Sequence, residues 1–437
     1  MTRNTSRRNF LKNTGLASLG LLMTQVRAAT AGASPAILLI SGWQDMNIGD
    51  IAHTPGLLHV FATFLPKAKV ILWKRRKGDE ADAMLRHHFP NVPLIYGNVD
   101  DERNVDSEAV RGAMAEADIL VHGSGPAVVG QRHLEAWMKH TDKPFGIFGT
   151  TIEKMKDGLP EVLRKAAFVY TRETDSLEVL KEHSIRGENV GFAPDATFFM
   201  DITDDQKARK FLAEKELATR VSLGEKNKVH QQLFICVIPR LRYSPSYKFK
   251  DVDWSQERID KVERVNAATK EEDHAKLREV MITWVRETGQ KVLVCPEMTY
   301  QVPLMDELLI DPLPDDVKPH VVKRGYWMPD EAASVYARAR AVVSFECHSP
   351  IMAIAAGTPS FYLRQPTDTI KGQMYYDLGL DDWVFEIDDT PGQRIADTLM
   401  HVHEHYDQAQ AKVAQTNTRT RDIYRQTTGV VKRKMRS

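Results

Sequence analysis

The sequence predicts an α/β fold of two doubly wound domains that face each other across a cleft. Three observations lead to this fold class. Short apolar runs alternate with helical periods from residue 36 to 192, and the same alternation resumes at residue 233. Uninterrupted apolar strands of this kind are typical of parallel sheets that helices cover on both faces. The roughly 400 residues after the N-terminal segment are also too many for one hydrophobic core.

The first domain is predicted over residues 34–200, with apolar runs as strands and amphipathic periods as helices. Its predicted strands are 36–40, 70–73, 94–96, 119–121, 145–148, 167–170 and 190–192. Its predicted helices are 56–65, 79–88, 107–117, 132–140 and 176–182. Thr54 and Pro55 suit the N-cap and first position of the first helix, because a hydroxyl can cap there and proline has no N–H to leave unpaired.

The second half of the chain repeats this alternation after a charged connecting segment, residues 201–231, in which a helix is predicted at 206–219. The second domain is predicted over 232–390. Its predicted strands are 233–238, 292–295, 320–322, 341–345 and 360–363, and its predicted helices lie within 255–288 and at 330–338 and 350–356. Gly289 suits a helix C-cap, and Ser349 with Pro350 suits a helix start. Residues 391–437 are predicted to form a helical tail.

Residues 1–33 are predicted to be a removable twin-arginine (Tat) export signal. Arg7 and Arg8 stand in the pattern Ser-Arg-Arg-x-Phe-Leu-Lys, an apolar run follows at 14–23, and Ala29-Thr30-Ala31 offers a cleavage site. The apolar run is shorter than the roughly 20 residues that a membrane-spanning helix needs. We therefore expect a periplasmic or extracellular protein that meets the Tat translocon during export and is not transmembrane after cleavage.

Composition argues against nucleic acid and anionic lipid as partners. The chain has a formal net charge of zero, and residues 1–33 contain five basic residues and no acid, so cleavage would leave about minus five. A mildly acidic protein has no overall attraction to polyanions. The three cysteines lack the spacing of a disulfide framework. The sequence contains no HExxH, CxxC or P-loop motif, so we expect neither a metal site nor nucleotide hydrolysis.

Polar residues collect where the predicted strands end, and ligands of open parallel sheets bind beyond those carboxyl ends. These positions hold Asn47, Gly49, Asp50, Gly123, Ser124, Gly125, Arg172, Asp195, Arg240, Arg242, Glu297, His348, Ser349 and Arg364. Helix N-termini attract phosphate or carboxylate through their free N–H groups, and arginine holds such anions with paired hydrogen bonds. We therefore expect His348 and the arginines of this set to form a site for a small polyanion.

Several of these patterns also have a structural interpretation. The Gly123-Ser124-Gly125 turn is typical of tight strand-to-helix connections, and Asn47-Ile48-Gly49-Asp50 could be a plain turn. Arg172 could pair with a neighbouring carboxylate, Glu173 or Asp175. Asp195 could simply end a strand. These alternatives stay open on the sequence alone.

Two further patterns favour the structural interpretation. Cys347 precedes His348, but a small buried cysteine at a strand end explains it better than a nucleophile does. His401 and His405 fall on one helical face, and surface histidines explain them better than a metal site does.

The order of the motifs resembles that of the polysaccharide pyruvyl transferase family over residues 36–380. Asn47-Ile48-Gly49-Asp50 is similar to the family's N-x-G-D loop, and His122-Gly123-Ser124-Gly125 to its glycine turn. The segment from Arg172 to Ser176 is similar to the family's R-[DE]-x-x-S segment with one extra residue, and Pro194-Asp195 is similar to its P-D pair. The segment from Ser344 to His348, followed by Ala353, Gly357 and Pro359, is similar to its S-x-R-x-H stretch, and Lys371 stands where the family often has a lysine.

The resemblance implies a glycosyltransferase-B-like fold of two Rossmann-type domains. It also implies transfer of the enolpyruvyl part of phosphoenolpyruvate to a sugar as a pyruvate ketal, with no cofactor besides this phosphorylated donor and a carbohydrate as acceptor. On this resemblance, His348 would perform acid–base chemistry and Arg172 would grip the donor. Ser176, Asp195 and Lys371 would belong to the substrate site.

The chain departs from the family pattern at Glu346, where an arginine is usual two residues before the histidine. Either Arg240, Arg242 or Arg364 supplies the missing charge, or the donor is not phosphoenolpyruvate. Two other functions therefore stay open. One is glycosyl transfer from a sugar nucleotide, which a carboxylate such as Glu297 aimed at a ribose would favour. The other is an exported, inactive carbohydrate-binding protein.

Overall fold

The computed structural model of the chain describes residues 34–217, 220–221, 230–231, 233–250 and 252–436. The predicted Tat signal and part of the predicted connecting segment lie outside the described residues. Within the described ranges, none of the helices combines the length and the apolar character that crossing a membrane requires.

The first half of the chain forms a seven-stranded parallel sheet in the order β3-β2-β1-β4-β5-β6-β7. Its strands are β1 (Ala36–Ser41), β2 (Lys69–Lys74), β3 (Leu94–Ile95), β4 (Ile119–His122), β5 (Phe145–Thr150), β6 (Phe168–Thr171) and β7 (Val190–Phe192). Its helices are α1 (Ile48–Phe64), α2 (Asp79–His88), α3 (Glu108–Glu116), α4 (Gln131–His140), α5 (Leu159–Lys165) and α6 (Asp175–Glu182). The chain leaves β1 towards β2 and later returns to its other side as β4, which is the topological switch point where such sheets bind ligands.

Helix α7 (Asp205–Glu214) and the two-residue strands β8 (Arg220–Val221) and β9 (His230–Gln231) follow. The second half then forms a six-stranded parallel sheet in the order β12-β11-β10-β13-β14-β15. Its strands are β10 (Phe234–Ile238), β11 (Lys291–Val294), β12 (Val321–Lys323), β13 (Ala341–Ser344), β14 (Ser360–Arg364) and β15 (Val384–Glu386). The helices are α8 (Gln256–Thr288), α9 (Gln301–Leu304), α10 (Pro329–Tyr336), α11 (His348–Ala355), α12 (Gln373–Asp377), α13 (Gly392–Glu404) and α14 (Tyr406–Lys434). Two doubly wound sheets confirm the predicted fold class.

The last helix, α14, returns from the second half of the chain to the first. Its Tyr424 is fully buried and stacks on Phe148 of β5 with the ring centroids 6.2 Å apart. The Tyr424 hydroxyl donates to the backbone carbonyl of Asp195 at 2.7 Å. The helix therefore stabilises the loop that carries Asp195, at the carboxyl edge of the first sheet.

Two predicted helix starts are wrong. Helix α1 begins at Ile48 with Asn47 as its N-cap, so Thr54 and Pro55 lie inside the helix, and the Thr54 hydroxyl instead bonds the Ser41 hydroxyl at 2.8 Å. Helix α11 begins at His348, one residue before Ser349. In both cases the helix extends towards the cleft and brings a polar residue of its first turns into the site.

Candidate functional site

The N-terminal turn of α1 forms one side of the site. The Asn47 side-chain oxygen accepts hydrogen bonds from the backbone N–H groups of Gly49 at 2.7 Å and Asp50 at 3.1 Å, so its role is that of a helix cap. The backbone N–H of Ile48, the first residue of α1, donates at 3.0 Å to the carbonyl of Glu297, which follows β11 in the second sheet. This turn therefore joins the two halves of the molecule directly.

Gly49 leaves the space that His348 occupies. A Cβ atom placed at Gly49 would lie 2.3 Å from the His348 Cβ and 2.4 Å from its Nδ1, far inside van der Waals contact. A glycine in the first turn of α1 is thus required for the imidazole to reach its position.

His348 is the first residue of α11, directly after β13, and only 6% of its surface is exposed. Its Nδ1 lies 3.3 Å from Oε1 of Glu297, and its Nε2 lies 3.8 Å from Oδ2 of Asp195 without a hydrogen-bond partner among the described residues. Glu297 is itself held by the N–H of Ser349 at 2.7 Å and the Ser349 hydroxyl at 2.8 Å. One carboxylate fixes the imidazole ring, and the opposite nitrogen points towards a second carboxylate.

His53 is a site residue that the sequence interpretation missed. It is fully buried in α1, and its Nδ1 lies 2.9 Å from Oδ1 of Asp195. Its ring meets that of His348 edge-on, with the centroids 4.9 Å apart, and its Nε2 lies 3.6 Å from Oδ1 of Asp50. We call Asp50, His53, Asp195, Glu297 and His348 the histidine–carboxylate cluster.

Arg172 lies behind Asp195. Its Nη1 donates to Asp195 Oδ2 at 2.7 Å, its Nε donates to the Thr151 hydroxyl at 2.6 Å, and the residue is fully buried. Glu173 is a more distant partner, at 3.6 Å. These contacts make Arg172 a residue that holds Asp195 in place and balances its charge.

The charges of the histidine–carboxylate cluster stabilise one another. Burial acts to raise the pKa of Asp195, but His53, His348 and Arg172 outweigh it and hold that pKa well below its usual range. Burial likewise opposes the charge of Glu297, but His348 and Ser349 lower its pKa. Burial acts to lower the pKa of His348, yet Cys347 and the carboxylates of Asp195 and Glu297 raise it well above its usual range. The two carboxylates of the cluster therefore favour the protonated form of His348.

A metal ion is the alternative occupant of this geometry. His53, Asp195 and His348 each offer a ligand atom within 4.8 Å of the others. Both oxygens of Asp195 are already engaged, Oδ2 by the Arg172 guanidinium at 2.7 Å and Oδ1 by His53 Nδ1 at 2.9 Å. The donor set therefore fits proton transfer better than metal binding.

Comparison with known proteins decides the family. The family model described as polysaccharide pyruvyl transferase matches residues 47–365. The chain belongs to this family. A search of curated proteins finds no match.

Solved structures support the fold of this pyruvyl transferase family member. A UDP-N-acetylglucosamine 2-epimerase aligns with a TM-score of 0.52 at 10% identity, over 88% of this chain and 90% of that one. A glycosyltransferase from Rickettsia africae aligns with a TM-score of 0.51 at 9% identity, over 90% and 98%. At such low identity the likeness shows the fold alone, two Rossmann-like domains in a glycosyltransferase-B-like arrangement.

The Gly123-Ser124-Gly125 turn of this family member packs against β1 and the loop that carries Asp195. A Cβ at Gly123 would lie 3.1 Å from the Ile40 carbonyl, and one at Gly125 would lie 2.6 Å from the Trp43 ring nitrogen. The Ser124 hydroxyl donates to the Gly149 carbonyl at 2.8 Å and accepts from the N–H of Ala196 at 3.3 Å. The turn thus packs closely and fixes the residue that follows Asp195.

Ser176 and Glu173 form a second buried support. The Ser176 hydroxyl accepts from the N–H of Ile152 at 2.8 Å and bonds the Glu173 carboxylate. The other Glu173 oxygen accepts from the Thr151 hydroxyl at 2.9 Å. Because Thr151 also accepts from Arg172, the segment from Arg172 to Ser176 orders the residues behind Asp195.

Arg240 and Arg242, two of the predicted site arginines, are paired with carboxylates. Arg240 Nη1 donates to Asp368 at 2.6 Å, and its Nε lies 3.5 Å from Glu346. Arg242 pairs with Asp273 at 2.8 Å and also with Asp388.

Arg364 and Lys371 complete this basic group. Arg364 Nη1 donates to Glu386 at 2.8 Å, while its buried Nε has no partner among the described residues. Lys371 Nζ lies 3.7 Å from the Asp368 carboxylate that Arg240 also contacts. Arg364 Nε is therefore a buried donor of this basic group that lacks a hydrogen-bond partner among the described residues.

Glu346, the departure from the family pattern, is buried and faces Arg240 and Gln301. Gln301 donates to its Oε1 at 2.7 Å. Burial raises the pKa of Glu346 to about 7, although Arg240 opposes the shift. The carboxylates that lie against His348 are instead Asp195 and Glu297.

Proposed function

We propose that this family member transfers the enolpyruvyl part of phosphoenolpyruvate to a sugar of an envelope or extracellular polysaccharide, forming a pyruvate ketal. Membership of the family supports pyruvyl transfer. The observation that carries the mechanism is the buried His348 imidazole, whose Nε2 is free of hydrogen-bond partners in the described chain while two carboxylates stabilise its charge. A histidine held in this way can give a proton and take one back.

The proposed reaction balances in atoms and charge. The Nε2 proton of His348 adds to the CH₂ carbon of the donor, which becomes a methyl group, and the adjacent carbon becomes oxocarbenium-like. One sugar hydroxyl adds to that carbon, the bond from the carbon to the phosphate oxygen breaks, and a second hydroxyl adds. One hydroxyl proton restores the imidazolium, and the other leaves with the phosphate.

We assign the donor's anionic groups to Arg240, Arg364 and Lys371, at the carboxyl edge of the second sheet. The unpartnered Nε of Arg364 supports this assignment, because a buried donor without an acceptor is costly until a ligand pairs with it. Arg172 contributes through Asp195, which its guanidinium fixes beside His348. Electrostatic stabilisation of the departing phosphate follows from this arrangement.

The test is phosphate release by the purified protein from phosphoenolpyruvate, with and without oligosaccharides from bacterial envelope polysaccharides. We expect release that depends on the oligosaccharide and is lost in His348→Ala. If His348→Ala releases phosphate at the wild-type rate, His348 is not the acid–base residue.

Glu346 favours a second candidate, an exported carbohydrate-binding protein without transferase activity. At this position a carboxylate replaces the arginine usual in the family, and it partly neutralises the charge of Arg240. Tight oligosaccharide binding without any phosphate release would establish it. Glycosyl transfer from a sugar nucleotide loses its supporting residue, since Glu297 is fully buried and committed to His348 and Ser349.

A further inference from the structure

A groove lies between the two halves of the molecule, apart from the residues assigned to the donor. Its volume is about 560 Å³, within the usual range for ligand sites. One wall comes from α2, with Glu80, Ala83 and Met84, and the other from the segment between β12 and α10, with Tyr326 and Met328. Both halves of the chain therefore contribute to it.

The charges along this groove exclude a polyanion. Its lysine and its arginine are already paired: Arg324 bonds Glu331 at 2.8 Å, and Lys207 lies 3.0 Å from Asp204. Glu80 also lines the groove and has no ion pair among the residues described. A triply charged donor would meet an excess of carboxylates here, whereas an uncharged polyhydroxyl ligand could donate hydrogen bonds to them.

Tyr326 lines the groove with an unsatisfied polar group. Its hydroxyl is buried and has no hydrogen-bond partner within the described chain. Burial, with the charges of Asp45, Glu80, Glu297 and Asp50, raises the pKa of Tyr326. Tyr326 therefore brings to the groove a hydroxyl that needs an acceptor which the described chain does not supply.

We propose that this groove binds the acceptor as a neutral saccharide, with the Tyr326 hydroxyl donating to a sugar oxygen. The identification of the ligand as an acceptor rests on the proposed function. The binding of a neutral saccharide in the groove does not, because it follows from the cavity, the paired cations and the unpartnered hydroxyl.

Two alanines offer a matched pair of variants. Ala83 is an exposed residue of α2 that lines the groove, and Ala115 is an exposed residue of α3 that lines a different cavity of about 860 Å³. Ala83→Trp fills part of the groove, and Ala115→Trp adds the same bulk elsewhere. Tyr326→Phe keeps the aromatic ring and removes only the hydroxyl.

The experiment measures binding of the full-length protein to neutral di- to tetrasaccharides of glucose, galactose, mannose and N-acetylglucosamine, by saturation-transfer NMR without donor. We expect Ala83→Trp to weaken binding at least tenfold and Tyr326→Phe about three- to tenfold, with Ala115→Trp unchanged. In phosphate-release assays, Ala83→Trp should raise the KM for the saccharide and leave the KM for phosphoenolpyruvate unchanged.

The two measurements separate the two proposals. Saccharide binding that Ala83→Trp abolishes, without phosphate release by the wild type, supports the groove and contradicts the transferase. Phosphate release with an unchanged saccharide KM in Ala83→Trp contradicts the groove and leaves the transferase standing. Failure of every saccharide of the panel to bind the wild type also overturns the groove proposal.

Discussion

Gly49→Ala tests how closely α1 and His348 fit. The added Cβ would lie 2.3 Å from the His348 Cβ and 2.4 Å from Cγ and Nδ1. Restoring van der Waals contact at about 3.4 Å requires the imidazole or the helix to move by roughly 1 Å. A displacement of that size at a reacting group can cost about 100-fold in rate.

The assay is kcat for phosphate release together with the free energy of unfolding in urea. We expect kcat to fall about 100-fold, and overpacking to destabilise the fold by about 1–3 kcal/mol. Gly112→Ala is the control, because Gly112 also lies within a helix, α3, and a Cβ there meets nothing within 4 Å. That variant should keep its kcat and gain about 0.5–1 kcal/mol of stability from helix propensity.

A wild-type kcat in Gly49→Ala would refute this reasoning. It would mean either that His348 tolerates a shift of about 1 Å or that its position does not matter to the chemistry. Loss of activity in Gly112→Ala as well would show that the assay reports general damage to helices rather than the fit between Gly49 and His348.

Four further predictions concern His53, Arg172, Glu346 and the predicted export signal. His53→Leu leaves Asp195 Oδ1 without its histidine partner and should lower kcat at least tenfold, and His53→Asn, whose amide can donate in place of Nδ1, should recover most of it. Arg172→Ala removes the guanidinium paired with the buried Asp195 carboxylate and should lower the unfolding free energy by about 3–5 kcal/mol, more than Arg172→Lys does. Because the pKa of Glu346 rises to about 7 in the folded state, folding takes up a proton there, so the unfolding free energy should fall as the pH rises from about 4.5 to 7. Urea unfolding of Glu346→Gln over this pH range should lack that part of the pH dependence. An unchanged pH dependence would contradict the assignment. Replacing Arg7 and Arg8 together by lysine should retain the precursor in the cytoplasmic fraction of bacterial cells, and unchanged export would contradict the Tat prediction.

The sheets could be predicted from the sequence because buried parallel strands consist of uninterrupted runs of apolar residues. Every predicted strand has a counterpart in the structure, whereas β15 (Val384–Glu386) and the two-residue strands β8 and β9 were not predicted. The start of α1 was misplaced because Thr54 and Pro55 form a good start signal by themselves. The cap at Asn47 is stronger in the fold, since its side chain reaches two free N–H groups.

Misplacing that start also concealed His53. Once the helix begins at Ile48, Asp50 and His53 are three residues apart on one face, which is the spacing that would have marked them as a pair. The pairing of the arginines could not be predicted, because Asp368, Asp273 and Glu386 lie far from their partners in sequence. Strand-end position located the polar residues, and only the fold shows which of them are already neutralised.

The most direct measurement of the central claim is the isotope content of the product formed in D₂O. The account predicts that phosphoenolpyruvate and the acceptor saccharide give a pyruvate ketal whose methyl group carries one deuterium at the former CH₂ carbon, with the bridging oxygen leaving in the phosphate. His348→Ala should form no such product. A ketal without deuterium in its methyl group, or phosphate that lacks the bridging oxygen, would contradict proton transfer from His348 to the donor carbon.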